Sequence, residues 1–272
     1  MHYDARVLES EAPLLSASGH RKQIASCSRR RRCFWVLLLL LAPVLVASQL
    51  AERRALFLRQ LTQPLQWFTI RGYHSRGYEV VAIPHIVHAK LASLVAQLRE
   101  HPDRTYDGES NLEDVIIFGR SARLMIPHAL QQEMRKAFHP MAEAFCECEL
   151  EEAAVIGSNG VRLYYRGASL AAHLDWAHKF VVSATLNVRQ SANHTRWPLT
   201  IQAFAGVSHA VTHREGEAVL YEGSRMLHGR PRPLEDEWYA AAFVGFVPRR
   251  YPAGRGWLTG LFVRMVRAVN RS

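Results

Sequence analysis

Cysteine is scarce in this chain: four among 272 residues, too few to staple a small loop-rich domain. Cys27 and Cys33 flank a run of arginines. Cys146 and Cys148 stand two apart, with no further soft ligand nearby to complete a zinc site. That pair reads as two helix-borne cysteines without chemistry. Acidic residues are in deficit as well, 24 against 34 lysines and arginines, giving a formal net charge of +10 and a pI near 9.8. The excess is local. It comes from Arg29, Arg30, Arg31 and Arg32, from Arg53 and Arg54, and from arginines between Arg249 and Arg271. No basic helix interleaved with aromatic platforms occupies the middle of the chain, which argues against a nucleic-acid partner. No internal repeat is present, which excludes a solenoid. Hydrophobic residues make up 49% and aromatic ones 10%, enough for a packed core and too much for wholesale disorder.

Long apolar runs are missing too, with one exception. Residues 34–50, FWVLLLLLAPVLVASQL, carry no charge until Glu52. An apolar helix of roughly 17 to 20 residues just spans a bilayer core, and Pro43 is tolerable there. The four preceding arginines belong on the cytoplasmic side. The expectation is a type II signal anchor, with a cytosolic tail at 1–33, a membrane span at 34–51 and the bulk of the chain in the lumen of the endoplasmic reticulum or Golgi. A cleaved signal peptide fits less well, because the leader is about thirty residues long and contains Asp4, Glu9 and Glu11. Two glycan acceptor patterns, at Asn193 and Asn270, fit a lumenal domain.

Beyond the anchor, residues 52–77 read as a juxtamembrane helix and linker. Residues 78–83 have a strand pattern. Helical spacing of Leu91, Leu94, Val95 and Leu98 predicts a helix over 85–100, and that of Leu130, Met134, Phe138, Met141 and Phe145 another over 127–148. Residues 101–114 are polar and loop-like. From 151 to 250 the pattern changes to short β-prone runs punctuated by Gly, Asn or Pro, as in a sandwich or jelly roll. The predicted fold class is mostly β with flanking helices. It consists of helical support at 78–150 and a jelly-roll core at 151–250, behind a single transmembrane helix. Residues 251–272 form a basic amphipathic segment, suited either to a membrane surface or to packing as an ordinary terminal helix.

The chemical signal is His173-Leu174-Asp175 with His228 further on. Alternate residues of a strand point to one face, so His173 and Asp175 can share a metal with a histidine from a neighbouring strand. Two histidines and one carboxylate leave three positions open, the arrangement of non-haem Fe(II) oxygenases.

Residues 165–176, ending in that triplet, resemble the segment leading to the first two iron ligands of prolyl 4-hydroxylase-type dioxygenases. Residues 216–231 resemble the strands and turn that carry their distal histidine. The resemblance covers roughly Val161 to Pro248, about a third of the chain. It implies a double-stranded β-helix; Fe(II), 2-oxoglutarate, dioxygen and ascorbate; a peptide substrate, with proline the implied target; and secretory-pathway residence. It also implies iron ligands at His173, Asp175 and His228, and a tyrosine at Tyr165 that helps hold the co-substrate. One position departs from the family pattern. The cation that would bind the distal carboxylate of 2-oxoglutarate is replaced by Trp238, preceded by Asp236 and Glu237. Arg230 is the candidate replacement, two residues from His228 and fork-shaped for a carboxylate; Lys179, Arg162 and Arg232 are alternatives. A second class of function stays open: a membrane-tethered jelly-roll binding module with a vestigial or non-catalytic metal site. The sequence does not specify an oligomeric state.

Overall fold

The structure is a computed structural model that describes residues 62–100, 106–107, 117–151, 160–191 and 196–269. All of these lie in one compact unit, Phe57–Ser272. None of its described helices is long and apolar enough to cross a membrane. The expected anchor at 34–51 falls outside the described residues.

Two antiparallel sheets face one another. The larger contains β1 (Tyr78–Ala82), β10 (Glu217–Tyr221), β7 (Val182–Gln190), β12 (Trp238–Phe246), β5 (Val161–Tyr165), β4 (Ser121–Leu124) and β2 (Tyr106–Asp107), in that spatial order. The smaller runs β3 (Ile117–Phe118), β6 (Ser169–His173), β11 (Leu227–Arg230), β8 (Leu199–Gln202) and β9 (Ser208–Val211). This is a jelly-roll arrangement, as the run of short strands predicts. The strands at 117–118 and 121–124 and the two-residue β2 lie where no strand was expected. Such short pieces at or next to a sheet edge gain their ladder from neighbours and carry little pattern of their own.

The outer face of the larger sheet is apolar, with Ala184, Leu186, Leu220, Val244 and Phe246 all buried. It is covered by α2 (His85–Glu100) and α3 (His128–Cys146), which bury Leu91, Val95, Met134 and Phe138 in the same cluster. Each such side chain contributes about 1.5–3 kcal/mol by leaving water. The two predicted helices therefore exist within two residues of their expected ends, because a 3.6-residue apolar stripe over a sheet is the strongest signal a sequence carries. α3 ends with Glu147 in the left-handed conformation (φ 48°), where the Cys148 amide donates to the Glu143 carbonyl. Cys146 and Cys148 are joined by a disulfide around that residue. This corrects the expectation of two inert thiols: spacing along a helix says nothing of the αL turn that brings the two sulfurs together.

α1, whose described part is residues 62–69, and the stretch after it pack on the β-domain. α4 (Trp257–Val269) buries Phe262, Val263 and Val266 against Ile70, Ala177 and Val181, so the terminal segment is a packed helix. Its Trp257, Leu258, Leu261 and Met265 are exposed.

Candidate metal centre

β6 and β11 pair antiparallel, with His173 directly opposite His228, and Asp175 follows in the turn after β6. The ring centroids are 4.4 Å apart. Asp175 Oδ1 lies 3.8 Å from His173 Nε2 and 3.6 Å from His228 Nε2, and the three ligand atoms lie within 4.8 Å of one another. All three side chains are buried.

Their outer ends are tied. His173 Nδ1 faces the Ala171 carbonyl at 2.9 Å, and His228 Nδ1 the Met226 carbonyl at 2.8 Å. A carbonyl only accepts, so each Nδ1 carries the proton and each Nε2 presents a lone pair inward. Ser183 Oγ donates to Asp175 Oδ2 at 2.7 Å, leaving Oδ1 for the centre. The Asp175 amide donates to the Gly223 carbonyl. A methyl at Gly223 would collide with Asp175 Oδ2 and Ser183 Oγ, so the turn between β10 and β11 needs glycine for close approach. Burial pushes the Asp175 carboxyl up, and the hydrogen bond from Ser183 Oγ opposes it, favouring the carboxylate that a metal needs. Two imidazole nitrogens and one carboxylate oxygen, preset and anionic overall, fit a divalent transition metal.

A further support comes from outside the jelly roll. Gln66 on α1 is buried, and its Nε2 donates to the Asp175 carbonyl and, at 2.9 Å, to the Ser224 carbonyl. One amide thus clasps the ligand turn and the β10–β11 turn together. The His74 amide donates to Glu222 Oε1 at 2.7 Å in the same turn. The stretch expected to be a linker is part of the site's scaffold.

No family model matches the chain, and no curated protein matches it. Among solved structures it is similar to a prolyl-4-hydroxylase from Pseudomonas putida (18% identity, 64% of this chain and 93% of that one, TM-score 0.42). It is also similar to a Trichoplax adhaerens prolyl hydroxylase in complex with a hypoxia inducible factor peptide fragment (9%, 78% and 96%, 0.48). A third is EctD from S. alaskensis with bound Fe (17%, 63% and 73%, 0.41). Likenesses this distant assign neither family nor activity to this chain.

Behind the triad lies a polar chamber between the sheets. Arg230, buried on β11, sits 4.9 Å from the Trp197 ring centroid and 4.7 Å from that of Tyr239. Its Nη1 donates to the Trp197 carbonyl and its Nη2 to the Tyr239 hydroxyl at 3.0 Å. His213 Nε2 accepts from the same Nη2 at 3.4 Å; burial, then the Arg230 charge, keeps His213 neutral. Among the described residues Arg230 has no carboxylate partner. Tyr221 packs against the His228 ring at 4.5 Å, its hydroxyl kept protonated by burial and by Asp175.

The other expected residues fall as follows. Tyr165 lies on the helix-covered face of β5, against the main core and under Arg120. Its neighbour Tyr164 points inward, edge-on to Trp197. Trp238 also faces the helices, with the Arg99 guanidinium 4.4 Å above it. Lys179 and Arg232 are exposed, and Arg162 is buried. Sequence reasoning missed Gln66, Ser183, Gly223, Tyr164 and Tyr239. Strand alternation from the apolar pair Val161 and Leu163 would have selected Tyr164 over Tyr165.

Proposed function

We propose that the chain is an Fe(II)- and 2-oxoglutarate-dependent oxygenase that hydroxylates a peptide residue, proline first, of proteins in the secretory pathway. It would work from a type II membrane anchor in the endoplasmic reticulum or Golgi, with dioxygen as oxidant and ascorbate keeping the metal reduced. The observation that carries this is the inward aim of His173 Nε2, His228 Nε2 and Asp175 Oδ1, each fixed by a bond at its far end. Three ligands on one side leave the other side for a chelating 2-oxo acid and dioxygen.

His173, Asp175 and His228 would hold the iron, which with 2-oxoglutarate supplies the oxidising chemistry when bound. Arg230, a buried guanidinium two residues from His228, would take the distal carboxylate, with the Tyr239 hydroxyl beside it. Tyr221, packed on the His228 ring, limits water around the ligands. A disulfide at Cys146–Cys148 suits an oxidising lumen.

The test uses the full chain in detergent. Anaerobic addition of ferrous iron and 2-oxoglutarate should produce a visible charge-transfer band, and air should then release succinate. His173→Ala and Asp175→Ala should lose both. Wild-type succinate release in either variant would sink the proposal. Iron binding with no 2-oxoglutarate consumption in the unaltered chain would favour the vestigial-site binding module.

A further inference from the structure

Arg162 is a second buried guanidinium that the chemistry above does not use. On β5, Val161 and Leu163 join the helix-covered core while Arg162 and Tyr164 take the opposite, inward face. Nη1 of Arg162 donates to Ser121 Oγ at 3.1 Å, but Nη2 is buried without a partner. Its cross-strand neighbour is Arg123, another cation. An arginine does not shed its proton in a protein, and an uncompensated buried charge is costly. Among the described residues no carboxylate relieves it.

Its surroundings are open enough for a ligand. Arg162 pairs with Ala241, and Ala241 with Asn187, placing the two polar residues on either side of a methyl at a Cα separation of about 10 Å. Asn187 is fully buried and spends both amide hydrogens, on Gln190 Oε1 and the His213 carbonyl, while its Oδ1 has no partner. Ala241, Phe243 and Thr185 face the same way and are only half-buried, although β7 and β12 are central strands whose other face is sealed by helices. The space they reach is therefore the chamber between the sheets. Tyr164, on the same face of β5 as Arg162, meets the Trp197 ring at 5.1 Å, and Arg230 lies 4.9 Å from that ring's centroid, so two positive charges share that chamber.

We propose that Arg162 and Asn187 form a recognition subsite for the molecule to be oxidised, and that this substrate carries a carboxylate. Arg162 Nη2 donates to the carboxylate, and Asn187 Oδ1 accepts from an N–H or O–H of the same molecule. The inference rests on the oxygenase reading, in which Arg230 is already engaged by the co-substrate. It narrows the peptide substrate to one that presents an acidic side chain or its C-terminal carboxylate beside the residue to be oxidised.

The experiment compares the full chain with Arg162→Gln and Arg230→Gln. In the metal-free protein, a guanidinium kept for a ligand should be neutral or stabilising to remove, so Arg162→Gln should match or exceed the unaltered thermal midpoint. With Mn(II) bound, 2-oxoglutarate affinity should hold in Arg162→Gln and fall about 10- to 100-fold in Arg230→Gln. With 2-oxoglutarate saturating, acetate should raise the midpoint of the unaltered chain saturably, against chloride at equal ionic strength, and should not do so in Arg162→Gln. A lowered metal-free midpoint would make Arg162 a structural residue. An equal loss of 2-oxoglutarate affinity in both variants would assign it to the co-substrate, and indifference of the unaltered chain to acetate would remove the carboxylate; each overturns the proposal. If the unaltered chain binds no 2-oxoglutarate, the oxygenase reading fails, and the metal-free comparison still judges Arg162.

Discussion

At the scale of single residues, the metal site depends on groups that never touch the metal. Gln66 bonds two carbonyls from two separate turns, and outer partners of this kind are typically worth 10- to 100-fold in metal affinity. Gln66→Leu is expected to weaken Mn(II) binding by about tenfold while Gln66→Asn recovers part of it; titration calorimetry on the full chain reads both. Titration adds a second expectation. Burial, then Lys179 and Arg267, pushes the pKa of His178 down to about 4 from 6.5. Between those values the unfolded chain binds more protons than the folded one, so stability declines as pH falls from 6.5 toward 4. His178→Gln should flatten that slope in thermal melts across the window; an unchanged slope would show that His178 does not titrate as described.

At the scale of elements, legibility followed periodicity. α2, α3 and the long strands β7 and β12 were readable because one face of each is continuously apolar. His173 and Asp175 were readable as a spaced pair, and His228 as their partner, although only the β6–β11 register sets the two imidazoles side by side. Tyr164 and Tyr165 differ by one position, which in a strand means opposite faces; the family resemblance pointed to Tyr165, which faces the helices, while Tyr164 faces inward. Gln66 could not be found at all, since its two bonds span 109 and 158 residues of sequence. The support that α3 gives is measurable. Phe138 is fully buried between α3 and the larger sheet, and Phe138→Ala should cost about 3–5 kcal/mol in chemical denaturation. A loss below about 1 kcal/mol would mean that the helix is not the lid of this core.

At the scale of the whole molecule, the jelly roll, its helical cover and its disulfide form one unit. The arginine run before residues 34–50 predicts that microsomes shield a C-terminal tag from added protease and leave an N-terminal tag open to digestion. The opposite pattern would put the jelly-roll domain in the cytosol, and with it a different set of candidate substrates. The clasp made by Gln66 adds a consequence for any shed form. If residues 34–50 anchor the chain as proposed, a protease cutting ahead of residue 62 would free a form that still binds Mn(II) tightly, whereas a cut just past Gln66 would release one that keeps its shape yet gives up the metal readily to a chelator. Metal content of the two trimmed species, set against their melting points, separates loss of grip from loss of fold.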